Sequence, residues 1–171
     1  MERIAPQLPA GVEAGIGRFI ANFALLEEYI RAIICEIART SAPAGEILSS
    51  ELSFRGLIAC FGALLMEYVP DAGLQCEGQK ILKEIDGVND FRNQVVHSLW
   101  LPDSSSRTYA IRQNLAKSRK GGLTPRIERY RKADLVRMCD TVAHLTFRLS
   151  SLYEKIRVEQ AAHANAGRAS G

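Results

Sequence analysis

No stretch of this chain is apolar for long enough to cross a membrane. The longest uninterrupted run, Gly56 to Met66, falls well short of the roughly 20 residues that a spanning helix needs. The opening residues, Met1-Glu2-Arg3-Ile4-Ala5-Pro6, hold no apolar h-region, so secretion is not expected. Cysteine is sparse and scattered. Cys35, Cys60, Cys76 and Cys139 form no C-x-x-C pair and no Cys–His spacing of the zinc-binding kind. Three of them stand in strongly apolar surroundings, where a free thiol acts as a small core residue. The expectation is a reducing cytoplasm, no metal and no cofactor. Thirteen Gly and six Pro are too few for a disordered or fibrous chain. Also missing are a G-x-x-x-x-G-K-[ST] loop, a G-x-G-x-x-G turn, a Gly-x-Ser-x-Gly elbow and a carboxylate cluster of the metal-nuclease kind. What is present is 171 residues, 47% hydrophobic and 24% charged, enough for one sizeable core.

Four segments carry helical periodicity. Ile16, Phe19, Phe23, Leu26, Ile30, Ile33 and Ile37 recur at steps of three and four, a continuous stripe on one long helix. Phe54, Leu57, Phe61, Leu64 and Tyr68 repeat those steps until Pro70 ends the second segment. Between the two, Ser41-Ala42-Pro43-Ala44-Gly45 is rich in breakers and reads as a connection. The third segment runs from about Gly73 to Ser98, with Leu82, Ile85 and Val88 inward and Phe91 and Val95 continuing nearby. The fourth carries Leu135, Met138, Val142, Leu145, Leu149, Leu152 and Ile156. The pattern predicts an all-α fold, an up-and-down bundle of four long helices in a single domain over 1–159, with 160–171 a flexible, Ala/Gly-rich tail.

The link between the third and fourth segments, about 99–132, is too long for a structureless loop in a compact domain. Thr108–Arg112 and Leu123–Tyr130 alternate, and Gly121-Gly122 supplies a turn. A short β-hairpin or extended flap is expected there. The charge gathers in this flap. Residues 107–132 hold nine cations and one acid, Glu128, for a local charge of +8, whereas the remainder sums to −5 within an overall +3. Arg107, Arg112, Lys117, Arg119, Lys120, Arg126 and Arg129 are the candidate RNA-contacting cations, with Tyr109 and Tyr130 interleaved to stack on unpaired bases. The alternative is a solvated hairpin whose Arg and Lys protect its edges.

Late in the third segment stands Phe91-Arg92-Asn93-Gln94-Val95-Val96-His97-Ser98-Leu99-Trp100. The R-x4-6-H spacing occurs three times, at Arg92/His97, Arg137/His144 and Arg157/His163, against about 0.8 expected by chance, so spacing alone decides nothing. Context separates them. Only Arg92/His97 lies where a helix gives way to an exposed segment, has a polar neighbour in Asn93, and leads into a basic flap. Arg92 also falls on the apolar stripe, an unusual position for a guanidinium that faces neither partner nor cleft. Asn93 and His97 share a helix face, whereas Arg92 and His97 are about 140° apart around the axis.

The R-N-x-x-x-H pattern, late in a helix of an all-α chain, resembles the HEPN superfamily, many of whose members are ribonucleases. The resemblance implies a metal-independent endoribonuclease with Arg92 and His97 catalytic and Asn93 beside them. It also implies a homodimer that brings two motifs into one composite site, and a role as toxin or defence effector, with RNA and an antitoxin protein as partners. Family toxins paired with nucleotidyltransferase antitoxins often carry a Tyr two residues after the His. Here that position is Leu99, so control by nucleotidylation of such a Tyr is in doubt. Glu27 interrupts an apolar flank of the first segment and is either a counter-charge to Arg92 or, as a weaker reading, a catalytic accessory. Two alternatives stand beside the nuclease. One makes His97 a capping group and pairs Arg92 with Glu27 or Asp90. The other is a non-catalytic helical dimer that binds nucleic acid or a partner protein.

Overall fold

The computed structural model describes residues 7–106, 109–118 and 122–169, with side chains left out at 42, 114–118, 122–126 and 163–169. Five helices and one three-stranded antiparallel sheet follow in the order α1 (Val12–Ile37), α2 (Ala42–Ser50), α3 (Phe54–Tyr68), α4 (Ala72–Val96), β1 (Leu99–Pro102), β2 (Ala110–Ser118), β3 (Gly122–Tyr130) and α5 (Lys132–Ala169). No helix among the described residues is long and apolar enough to cross a membrane. The fold is therefore mostly helical with a small sheet, one helix and one strand richer than the periodicity predicts.

Contacts divide the chain into two compact units, Met1–Phe23 with Asp90–Val142, and Ala24–Asn89 with Ala143–Gly171. The division falls inside α1, α4 and α5 rather than in linkers, so no shift in composition marks it.

In the second of these units the apolar stripes do what their spacing requires. Leu26, Ile30, Ile33 and Ile37 of α1, Leu57, Phe61 and Leu65 of α3, Ile81, Leu82 and Ile85 of α4, and Leu145, Leu149, Leu152 and Ile156 of α5 are buried. Each such side chain stabilises the fold by about 1.5–3 kcal/mol relative to exposure. On α3 the inward position is Leu65, and Tyr68 at the helix end is exposed. α1 stops in a Schellman turn, with Arg39 at φ 52° in the left-handed position. There Thr40 N–H donates to Cys35 O and Arg39 N–H to Glu36 O. The presumed connection is α2, because Pro43 sits in the first turn, where its missing N–H costs nothing. The Arg31 guanidinium donates to Ser49 O at the end of α2 and to Glu27 Oε1 at 2.6 Å. α5 continues to Ala169, into the segment expected to be a flexible tail.

In the first unit the sheet has the order β1-β2-β3. The hairpin expected from the alternation is β2 and β3, paired from Ala110↔Tyr130 to Ser118↔Gly122. β1 pairs with β2 from Leu99↔Gln113 to Pro102↔Ala110. Four residues ending in Pro are too few to show alternation, so β1 is not legible in sequence. The register sets Trp100, Arg112 and Glu128 in one row and Pro102, Ala110 and Tyr130 in the next, on one sheet face. A small core of Val12, Ala110 and Leu135, joined by Leu8, Ile16, Phe91 and Trp100, lies against it. Leu99 and Ile127, of opposite parity, are exposed.

Candidate functional site

The last turns of α4 hold the sequence motif. His97 N–H closes the final helical bond to Asn93 O at 3.0 Å. Ser98 Oγ donates to Gln94 O, and Trp100 Nε1 donates to Val95 O at 3.0 Å. Three carbonyls that a helix end would leave open are thus satisfied, two of them by side chains arriving from β1 and its approach. The His97 side chain takes no part in this cap. It is exposed, and its ring makes no hydrogen bond among the described residues.

Arg92 is half-buried one turn earlier. Its guanidinium lies 5.7 Å from the centroid of the Phe23 ring, and Nη1 donates to Asn93 Oδ1 at 3.1 Å. Phe23 is held in turn by Phe19, which meets Phe91 edge-on at 5.1 Å and 84°. Among the described residues Arg92 makes no ion pair, and no hydrogen bond joins it to His97. Among the described residues the motif therefore presents a positioned guanidinium without an ion pair and an imidazole without a hydrogen bond, on neighbouring turns of one helix end. The Asn93 side chain is engaged by Arg92, and no hydrogen bond joins it to the His97 ring among the described residues. Glu27 has Arg31 as an ion-pair partner on its own helix.

The flap's cations are not equivalent. Arg112, grouped on sequence with the RNA-contacting residues, is 2% exposed. Its guanidinium reaches Gln94 Oε1 at 2.9 Å and the Glu128 carboxylate, and lies 5.2 Å from the Tyr130 ring centroid. The sheet register puts Arg112 opposite Glu128 on the covered face, which withdraws it from any ligand in solution. Arg129 is half exposed but tied: Nε donates to Asp103 Oδ2 at 2.6 Å, the guanidinium also meets Ser105 Oγ, and its plane covers Tyr109 at 5.5 Å. Asp103 is buried, and bonds from the Ser105 hydroxyl and then the Ser105 N–H, followed by Arg129, hold its carboxyl below the usual range. Lys117 lies on β2 and Arg126 on β3, opposite Leu123 and Asn114 respectively. Arg107, Arg119 and Lys120 lie outside the described residues.

Tyr130, expected to stack on a base, is used internally. Its ring packs against Phe91 at 6.0 Å and Trp100 at 5.5 Å, and its hydroxyl donates to Glu128 Oε2 at 2.6 Å. Sequence reasoning overlooked Gln94 and Asp103, each of which engages a flap arginine across the fold. One signal was present. Glu128 is the flap's sole acid, and a lone acid among nine cations is a natural partner for one that becomes buried. No group of three or more His, Cys, Asp or Glu among the described residues could hold a metal ion. Comparison with protein-family models, with curated proteins and with solved structures finds no match to this chain.

Proposed function

We propose that the chain is a metal-independent endoribonuclease of the HEPN type, its helices an up-and-down bundle, acting as a toxin or defence effector in the cytoplasm. The observation that carries this reading is the end of α4, where, among the described residues, the Arg92 guanidinium makes no ion pair and the exposed His97 ring makes no hydrogen bond. RNA supplies its own nucleophile. His97 takes the proton of a 2′-hydroxyl, the 2′-oxygen attacks the adjacent phosphorus, and the bond to the 5′-oxygen breaks. Arg92 balances the charge that grows on the phosphate oxygens. The leaving 5′-oxygen needs a proton, which the His97 of a second copy delivers in a composite site. The products are a 2′,3′-cyclic phosphate and a 5′-hydroxyl. An antitoxin protein would restrain the activity by covering this helix end.

Purified protein is expected to cut single-stranded RNA in EDTA and to leave intact a strand with 2′-deoxyribose throughout. His97→Ala should lower the rate by about a hundredfold to ten-thousandfold, the range typical of a lost general base. Arg92→Lys should lower it as well, because a point charge replaces a fork. Intact RNA after incubation with the wild type, or equal cutting by His97→Ala, refutes the nuclease. The runner-up is a non-catalytic helical dimer that binds nucleic acid or a protein; the internal engagement of Arg112 and Arg129 favours its protein-binding form over its nucleic-acid-binding one. A monomer in light scattering at micromolar concentration removes both the composite site and that dimer.

A further inference from the structure

Arg112 is buried and Arg129 is tied to Asp103, but three further cations of this unit border a separate opening. A cleft of about 710 Å³ opens between the residues that precede α1 and the first turns of α5. Arg131, Lys132 and Arg137 form its charged wall, while Pro9, Ala10 and Val136 supply apolar surface. We propose that this cleft holds the sugar–phosphate backbone of a single-stranded RNA, at the foot of the hairpin. The proposal rests on the reading of RNA as the substrate and adds a binding site outside the Arg92/His97 motif.

Three features favour a phosphodiester strand. The first is charge. No acid among the described residues lines the cleft, and Asp134, which pairs with two of its cations, is one charge against three. Asp134 accepts Arg131 N–H at 2.9 Å, closing the start of α5, and meets both guanidiniums, Arg131 Nε at 3.7 Å and Arg137 on the next turn. Those two arginine side chains are 52% and 68% exposed, so their ion pairs are weak and yield to phosphate oxygens at little cost. Second, Lys132 is seated by a bare backbone. Gly11, at φ 82°, would place a Cβ 2.8 Å from Lys132 Cδ, so the lysine stem lies flat where any side chain would displace it. Lys132 has no hydrogen-bonding or ionic partner among the described residues. The third is shape. The volume exceeds that of a lone phosphate and accepts a nucleotide, with the apolar wall facing ribose or base.

The test uses full-length protein carrying His97→Ala, so that RNA survives, and a fluorescein-labelled twelve-nucleotide oligouridine read by anisotropy over a range of salt. Lys132→Ala with Arg137→Ala should weaken binding at least tenfold at moderate salt. It should also flatten the slope of log affinity against log salt by about 1.4, at roughly 0.7 per lost single-strand phosphate contact. Lys132→Arg with Arg137→Lys should retain the wild-type slope, and circular dichroism checks that every variant is folded. An unchanged affinity and slope in the alanine pair overturns the cleft. Competition by polyglutamate as strong as that by unlabelled RNA also overturns it, because the site would then read charge alone. Cleavage is scored separately. A wild type that leaves RNA intact while the alanine pair loses binding removes the nuclease and keeps the cleft; the opposite pair of results removes the cleft alone.

Discussion

The buried Arg112–Glu128 pair makes an asymmetric prediction about stability. Arg112 has a side chain 2% exposed, whereas that of Glu128 is 28% exposed. Glu128 is the carboxylate paired with Arg112 among the described residues, and Arg112 Nε is already buried without a hydrogen-bond partner. Glu128→Gln therefore strands a full positive charge beside neutral acceptors, Gln94 Oε1 and the Tyr130 ring. Breaking a buried pair in this way costs about 3–5 kcal/mol, and the partial exposure of Glu128 points to the lower end. Arg112→Met removes the other partner. The carboxylate left behind keeps the Tyr130 hydroxyl at 2.6 Å and reaches water, so the expected loss is about 1 kcal/mol. Urea unfolding read by tryptophan fluorescence suits the measurement, because the chain's one tryptophan, Trp100, stands beside Arg112 in the sheet register. A 2 kcal/mol gap between the two variants is a roughly thirtyfold difference in the folded-to-unfolded ratio, readable at unchanged m-value. The double variant Arg112→Met with Glu128→Leu should recover most of the loss. Glu128→Gln equal to or milder than Arg112→Met would refute the reasoning, since burial would then not govern the cost.

Two further outcomes follow from local geometry. Asp103 has a carboxyl pKa lowered by Ser105 and then Arg129, so its contribution to stability is full above the ordinary aspartate value and is lost as pH falls through the lowered one. Asp103→Asn should therefore flatten the fall in Tm below about pH 4 and leave its dependence near neutrality unchanged; an unaltered acid limb would count against the Ser105 and Arg129 contacts. In α2, a Cβ on Gly45 would fall 2.2 Å from Cys35 Sγ and 2.9 Å from Thr40 Oγ1. Gly45→Ala should cost about 1–3 kcal/mol in chemical denaturation, and Cys35→Ala should relieve most of it, whereas a neutral Gly45→Ala would mean that α2 sits further from α1.

The parts of the fold legible in sequence are those whose cause is local. The stripes of α1 and α5 announce themselves because burial repeats every three or four residues, and Leu26, Ile30, Leu145 and Leu149 all prove buried. The hairpin is legible because alternation and a glycine turn are properties of neighbouring residues. α2 is hidden by Pro43, a breaker inside a helix but an acceptable residue in its first turn. The helical extension to Ala169 has no apolar stripe to reveal it. A sequence of good helix formers carries it on past Ile156.

The same division governs the site. Arg92, Asn93 and His97 lie within one helix end, so sequence spacing already limits where their side chains can point. The flap cations do not. Whether Arg112 meets RNA or Glu128 depends on which residue of β3 stands opposite it, a long-range register that no property of Arg112 contains. A net charge of +8 over 107–132 treats every cation there as equivalent, yet one is buried against the flap's sole acid and another is held by an aspartate outside the segment. Arg131 and Lys132, together with Arg137 beyond the flap, border open space instead. Local charge density thus identified a basic segment, while the folded register decides which of its members remain available to a polyanion.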